Sequence, residues 1–315
     1  MKELKILAVL VFFTLLTYWG VEPFAHSKMH KHVVDQNFAY SDLKPIGKTG
    51  DVTSGKALVM GAGACLGCHS IKSQGLTAPM DANGAANAYG VNPPDLSEVG
   101  ALFDAKFLAN LIENPVKALK LEHKFDGKTR SFPMPAFGGA GGDKDQEVAD
   151  MVAYLQSIAK KVTPVEAYEV SCGRCHANRY GKWTQIGMIP KTKSNIVTNQ
   201  DVDLLKFKVK VADYQNTLVK YTGKLPPDLS IMIRARNEEF LKTFVENPQS
   251  QLPGTGMPRV GLSKKGYEKV VSYLEETGDP SKPARDALGP WVIGFFIIFT
   301  ILALLWKKSV WKELH

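Results

Sequence analysis

Four cysteines occur in the 315-residue chain, and all of them fall in two copies of one pattern, Cys65-Leu-Gly-Cys68-His69 and Cys172-Gly-Arg-Cys175-His176. Two thiols three positions apart reach the two vinyl groups of a porphyrin, and the histidine that follows swings under the iron. C-x-x-C-H is therefore the attachment signature of c-type haem. Occurring twice, it predicts two covalently attached haem c groups with His69 and His176 as axial iron ligands. Zinc ribbons, redox dithiols and structural disulfides also use cysteine pairs. A ribbon, however, would have to join pairs 107 positions apart, and it would leave both histidines unexplained.

A haem of the class I cytochrome type closes its sixth iron position with a side chain from a later loop, usually methionine, whose soft thioether favours ferrous iron. Met134 lies 65 positions after His69 and Met257 lies 81 after His176, each followed by proline, which stiffens the loop. The same Met-Pro unit precedes the last helical stretch of each half, which favours ligation over mere gap-filling in a core. Met80 and Met188 follow their histidines by only 11 and 12 residues, too few to reach the opposite haem face. Arg234 and Arg236, in IMIRARN, fit either haem propionates, since guanidinium matches carboxylate, or exposed helix positions. His26, His30 and His32 read as interfacial polar residues.

These side chains need elements to hold them, and the chain supplies the same elements twice. A short helical stretch runs into each CxxCH, and a Pro-Pro-Asp-Leu-Ser unit follows, at Pro93 to Ser97 and Pro226 to Ser230. Its prolines set an extended approach, and Asp or Ser caps a helix. Next come KFLANLIENP and EFLKTFVENP, helices that proline stops. The repeat distance is 133 both from Pro93 to Pro226 and from Pro115 to Pro248. Each half then passes its Met-Pro loop and ends on an amphipathic helix, QEVADMVAYLQSIA or KGYEKVVSYLEET. The copies diverge at an insertion of 26 residues between roughly Arg179 and Lys224, where the alternation in LLKFKVKVADY predicts a short strand or hairpin. The second copy is also ten residues shorter before Met257.

The two ends are apolar. Ile6 to Val21 follows Lys2 and Lys5 and reads as a signal-peptide core or a short anchor; the cleavage box Ala25-His-Ser27 beyond Pro23 is poor, which favours a retained anchor. Gly289 to Trp306 is 18 residues without a charge, bracketed by Trp291 and Trp306 and followed by Lys307 and Lys308, the pattern of a transmembrane helix. The positive-inside rule puts both termini in the cytoplasm and everything between them outside. With 44% apolar and 22% charged residues the remainder is expected to be soluble and folded, each half burying a core of its own. The net charge of +8 and pI near 9.1 point to anionic lipid or an acidic partner rather than nucleic acid, because several lysines cluster at the apolar ends and propionates offset the rest.

The reading is thus an all-α protein. Residues 1–24 are an N-terminal anchor or signal anchor, 25–50 a linker, 51–160 and 161–280 two tandem class I cytochrome c domains, 289–306 a C-terminal transmembrane helix and 307–315 a cytoplasmic tail. Leu225-PPDLSIMIRAR to Arg236 resembles cytochrome c1 of cytochrome bc1 complexes, as does a single C-terminal helix followed by WKKSVWK. The whole arrangement is similar to the dihaem cytochrome c1 subunits of some bacterial quinol:cytochrome c reductases. It departs from the ordinary pattern in its second haem and its N-terminal anchor.

The resemblance implies an electron-transfer subunit of the bacterial inner membrane with no independent catalytic site. It would take electrons from the Rieske iron-sulfur protein beside cytochrome b and pass them to a periplasmic cytochrome c. Two alternatives also carry two such haems. A cbb3-type terminal oxidase subunit would be anchored at the N-terminus only, and a dihaem peroxidase requires one open sixth site.

Overall fold

A computed structural model describes residues 2–29, 38–190 and 202–313. His30 and His32 lie outside that set, as does part of the insertion, 191–201. In chain order α1 (Lys2–Leu16) runs through a π-turn (Thr17–Val21) into α2 (Glu22–Met29). The first half then contains α3 (Val52–Met60), α4 (Ala82–Tyr89), α5 (Val99–Leu102), α6 (Ala105–Glu113), α7 (Pro115–Ala118) and α8 (Lys144–Ile158). The second half contains α9 (Pro164–Tyr168), β1 (Trp183–Thr184), β2 (Gly187–Met188) and α10 (Val202–Thr222). It continues through α11 (Met232–Ala235), α12 (Glu238–Glu246), α13 (Pro248–Gln251), α14 (Lys264–Gly278) and the long α15 (Lys282–Glu313). The chain is mostly helical, as the sequence implied; among the described residues the named strands are the pair β1–β2, an antiparallel hairpin that sets Trp183 opposite Met188.

The helix ends follow local chemistry. Asp51, Asp104, Asn237 and Ser263 accept a backbone N–H of the first turn, and Thr163 with Glu166 forms a reciprocal capping box. Pro115 and Pro248 do more than stop a helix: each is also the first residue of the next short one, where its missing N–H costs nothing.

In the first half α3 crosses α8 closely because Gly55 has no side chain; a Cβ there would overlap Asp150 O. In the second half the corresponding crossing of α9 and α14 rests on aromatic packing, with the Tyr168 and Tyr273 rings 4.7 Å apart. Val59, Ile71, Leu108, Val148, Met151 and Val152 form a core within the first half. The expectation that the second half has its own core gives way to a shared one. There Tyr168, Tyr267, Tyr273 and Leu274 belong to the same cluster as Phe38, Tyr40, Leu102 and Phe107. Tyr40 Oη donates to Leu262 O at 2.7 Å, and Ser263 N donates to Leu102 O at 2.8 Å, so backbone bonds cross between the halves as well.

Within the insertion the hairpin is β1–β2, and the stretch LLKFKVKVADY, expected as a strand or hairpin, is instead part of the helix α10. Leu204, Phe207, Val211, Tyr214, Leu218 and Tyr221 are shielded and spaced three and four apart, so a helical stripe spans the element, while Val209 of the lysine-valine alternation faces outward. α10 lies on α4: Asn83 Nδ2 donates to Lys210 O at 2.8 Å, and Thr217 Oγ1 to Asn87 Oδ1 at 2.8 Å. Gly90, at φ +88°, ends α4 beneath the Tyr221 ring, where a Cβ would overlap the ring.

Among the described residues, two helices are long and apolar enough to cross a membrane, Lys2–Ala25 and Lys282–Lys312, and neither is covered by the rest of the chain. Lys307 Nζ lies 2.9 Å from Glu3 Oε2, joining the start of one to the end of the other.

Candidate functional site

Both CxxCH segments adopt the same turn. Cys68 N donates to Cys65 O at 3.2 Å and His69 N to the same oxygen at 2.9 Å; the equivalent distances to Cys172 O are 3.0 Å for Cys175 N and 2.9 Å for His176 N. The turn gathers two thiols and one imidazole at one end of the helix that precedes them. All four cysteines are free of disulfides and half-buried as residues. Burial pushes the Cys65 and Cys175 thiols up and that of Cys172 to about 12, so each is neutral near pH 7. Among the described residues no three His, Cys, Asp or Glu side chains converge as a metal-holding group.

The imidazoles are aimed by the repeated PPDLS unit, whose role sequence reasoning missed. His69 Nδ1 is 2.8 Å from Pro94 O, and His176 Nδ1 is 2.8 Å from Pro227 O. A carbonyl can only accept, so Nδ1 carries the proton and Nε2 keeps its lone pair for a metal. Burial lowers both imidazole pKa values, and at His69 the Arg174 charge acts in the same direction. Both rings are therefore neutral near pH 7, as a ligand must be.

The rest of the unit clamps the residues after each histidine. Leu96 N donates to Ser70 O at 2.8 Å and Leu229 N to Ala177 O at 2.9 Å. Asp95 and Asp228 accept the N–H of Lys72 and Arg179, both at 3.2 Å. Ser97 and Ser230 accept that of Ser73 at 3.0 Å and Tyr180 at 3.2 Å. Prolines leave no competing donor in the strand, and the Asp bends back onto its own Ser N–H at 2.9 Å in each copy. The recurrence of this unit at the same distance before each Glu-Asn-Pro was the signal available in the sequence.

Met134 and Met257 are both partly buried. Their loops are tied in equivalent places. Phe137 N donates to Ile112 O at 2.9 Å, and Val260 N to Val245 O at 3.4 Å, so three residues past each methionine the chain is fixed to the preceding Glu-Asn-Pro helix. The ten residues missing from the second copy come out of the loop between and leave this tether intact. Met188 is 54% exposed on β2.

Arg234 and Arg236 are exposed: Arg234 Nε is 3.8 Å from Asp279 Oδ1, and the Arg236 guanidinium lies 5.2 Å from the centre of the Phe240 ring. The buried arginine is Arg259, two residues beyond Met257 and only 2% exposed. Its Nη2 donates to both oxygens of Asp42 at 2.9 Å, while Nε and Nη1 have no partner among the described residues.

The residues present fit a covalent haem: two thiols free of disulfides, an imidazole held in the tautomer that presents Nε2, and a methionine loop fixed to the same half. Residues 52–159 match the cytochrome c family. The chain is 23% identical over 206 residues to the ammonia monooxygenase gamma subunit of Nitrosomonas europaea, covering 51% of this chain and 84% of that one. To cytochrome c1 of Allochromatium vinosum it is 24% identical over 145 residues, 31% of this chain and 59% of the other, so less than two thirds of that cytochrome is spanned. A chain of a hyperthermophilic respiratory Complex III aligns at 26% identity over 48% of this chain and 75% of that chain, with a TM-score of 0.33. Residues 52–159 are thus a cytochrome c domain, a module that carries covalent haem c and moves single electrons, in a chain related to cytochrome c1.

Proposed function

We propose that this chain is a membrane-anchored dihaem cytochrome c1, with one haem on Cys65, Cys68 and His69 and a second on Cys172, Cys175 and His176. Met134 and Met257 would supply the sixth ligands. The observation that carries the second haem is the repeated pair of imidazole-to-proline bonds, both 2.8 Å, made by the same unit at the same place in each half. A structural disulfide or dithiol has no use for a histidine held in this way.

Haem c, once attached, supplies a one-electron iron couple. The chain's own part is to fix the imidazoles, exclude water through the two cores and keep each methionine loop in place. The salt bridge between Glu3 and Lys307 supports a pair of antiparallel spans with both chain ends on the cytoplasmic side. The haem-bearing part would then face the periplasm. In this position it would receive electrons from a Rieske protein beside cytochrome b and pass them to a periplasmic cytochrome c, as the electron-transfer subunit of a quinol:cytochrome c reductase.

Three measurements test the reading. Pyridine haemochrome and intact mass should show two covalent haems per chain, and acidified acetone should extract no pigment. Purification in mild detergent should bring down cytochrome b and the Rieske protein; recovery with a haem-copper oxidase instead would reject the assignment. Replacing Met134 or Met257 with His should lower that haem's potential by more than 59 mV, a tenfold change for one electron. An unchanged potential would exclude that methionine as the ligand.

A further inference from the structure

The two haem-binding loops touch through a closed ring of hydrogen bonds. Asn92 N donates to Tyr214 Oη at 3.0 Å, Tyr214 Oη donates to Arg174 O at 2.9 Å, and Arg174 Nη1 returns to Asn92 O at 2.9 Å. Each corner belongs to a different part of the site. Asn92 immediately precedes the two prolines, of which Pro94 holds His69. Arg174 lies between Cys172 and Cys175. Tyr214 is fully buried and comes from α10, the insertion that distinguishes the second half. Arg174 Nε also donates to Val170 O at 3.2 Å, so its guanidinium is held at both ends. Cys175 packs against the same small cluster as Ala86, Tyr214 and Leu218.

We infer that Arg174 and Tyr214 join the two haem sites into one unit, and that Arg174, as a positioning residue with a fixed charge, raises the potential of the first site from within the loop of the second. The inference rests on the dihaem reading. A permanent cation beside an iron centre favours its less positive, reduced state, and a partly buried guanidinium braced by two carbonyls is poorly screened. The exchange it biases moves one electron: the iron of one site is oxidised as that of the other is reduced, and no bond or proton changes place. α10 is then a brace that keeps the two sites in register, which accounts for a helix of 21 residues present in only one copy.

The test is a potentiometric titration of the detergent-solubilised full chain, with covalent haem counted in the same samples. The first site is the wave that disappears from Cys65→Ala/Cys68→Ala protein. Arg174→Gln should retain both haems and lower the first-site potential by roughly 59 mV, a tenfold shift for one electron. Arg174→Lys, which keeps the charge and loses the fork, should hold more than half of the wild-type advantage. Tyr214→Phe should shift the first site by less than Arg174→Gln does. If Arg174→Gln fails to mature, Arg174→Met is compared with Arg174→Lys by the same criterion. Two haems with an unmoved first wave in the neutral variant would overturn the coupling alone, as would a lysine variant that falls as far as the neutral one. A chain with one haem would overturn the dihaem reading, and the coupling with it.

Discussion

The two CxxCH loops are chemically the same and are supported differently. In the first half the loop stands on a core built from that half alone, with α3 pressed against α8 at Gly55. In the second half the loop is fastened by aromatic side chains: Tyr168 Oη donates to His176 O at 3.0 Å, and Trp183 Nε1 donates to Gly173 O at 3.1 Å. That core continues into the linker and the first half. The difference teaches that a duplicated ligand set requires only a conserved set of local bonds, the turn, the proline carbonyl and the clamp. The packing behind it is free to drift, and one copy can come to lean on the other.

Four tests break or sharpen this contrast. The largest effect is expected from removing the thiols in pairs. Cys65→Ala/Cys68→Ala and Cys172→Ala/Cys175→Ala should each remove one of the two covalent haems, measured by pyridine haemochrome. Only the second should also lower the melting temperature of the whole chain, because its loop sits in the shared core. Next, Gly55→Val should destabilise the first half by about 3 kcal/mol or more, since the side chain must displace the α8 backbone. Urea unfolding followed by circular dichroism would check this, and an unchanged midpoint would show that the helices have room to separate.

Third, Arg259→Gln should cost about 2 kcal/mol near pH 7, by loosening the Met257 loop from Asp42. Desolvation works against the Asp42 carboxylate, but the hydrogen bonds and charge of Arg259 hold its pKa below the usual range. A lowered folded-state pKa contributes stability above the unfolded value near 4, and this stability is lost as the pH falls through the folded value. The variant should therefore lose less stability on acidification than the wild type, in thermal melts from pH 5 to 2. The smallest effect belongs to Tyr40→Phe, which deletes the hydrogen bond from the linker to Leu262 O of the second half and should cost about 1 kcal/mol. A larger loss would mean that the linker and the second half unfold as one.

Much of this protein is written in short stretches of chain. CxxCH specifies its chemistry within five residues, the caps Asp104 and Asn237 mark helix starts, and Glu-Asn-Pro marks helix ends, because each depends on bonds between residues at most four apart. Apolar runs announced the two long terminal helices for the same reason. The insertion was misread because an alternation of lysine and valine over a few residues outweighed a stripe that only becomes visible over 21. Arg259 went unnoticed because nothing in its neighbours tells that a charged residue is buried; its partner Asp42 is 217 positions away.

The sequence alone therefore determined where the two CxxCH segments stand and where most helices begin and stop, as these follow from neighbours along the chain. Only the tertiary structure decided how those residues are aimed: that a proline carbonyl 25 positions beyond His69, and another 51 beyond His176, each holds an imidazole in one tautomer. It also decided that one loop reaches the other through Arg174. Such contacts join groups far apart in the chain, and their geometry is set by the packing of the elements between them, which no local pattern records.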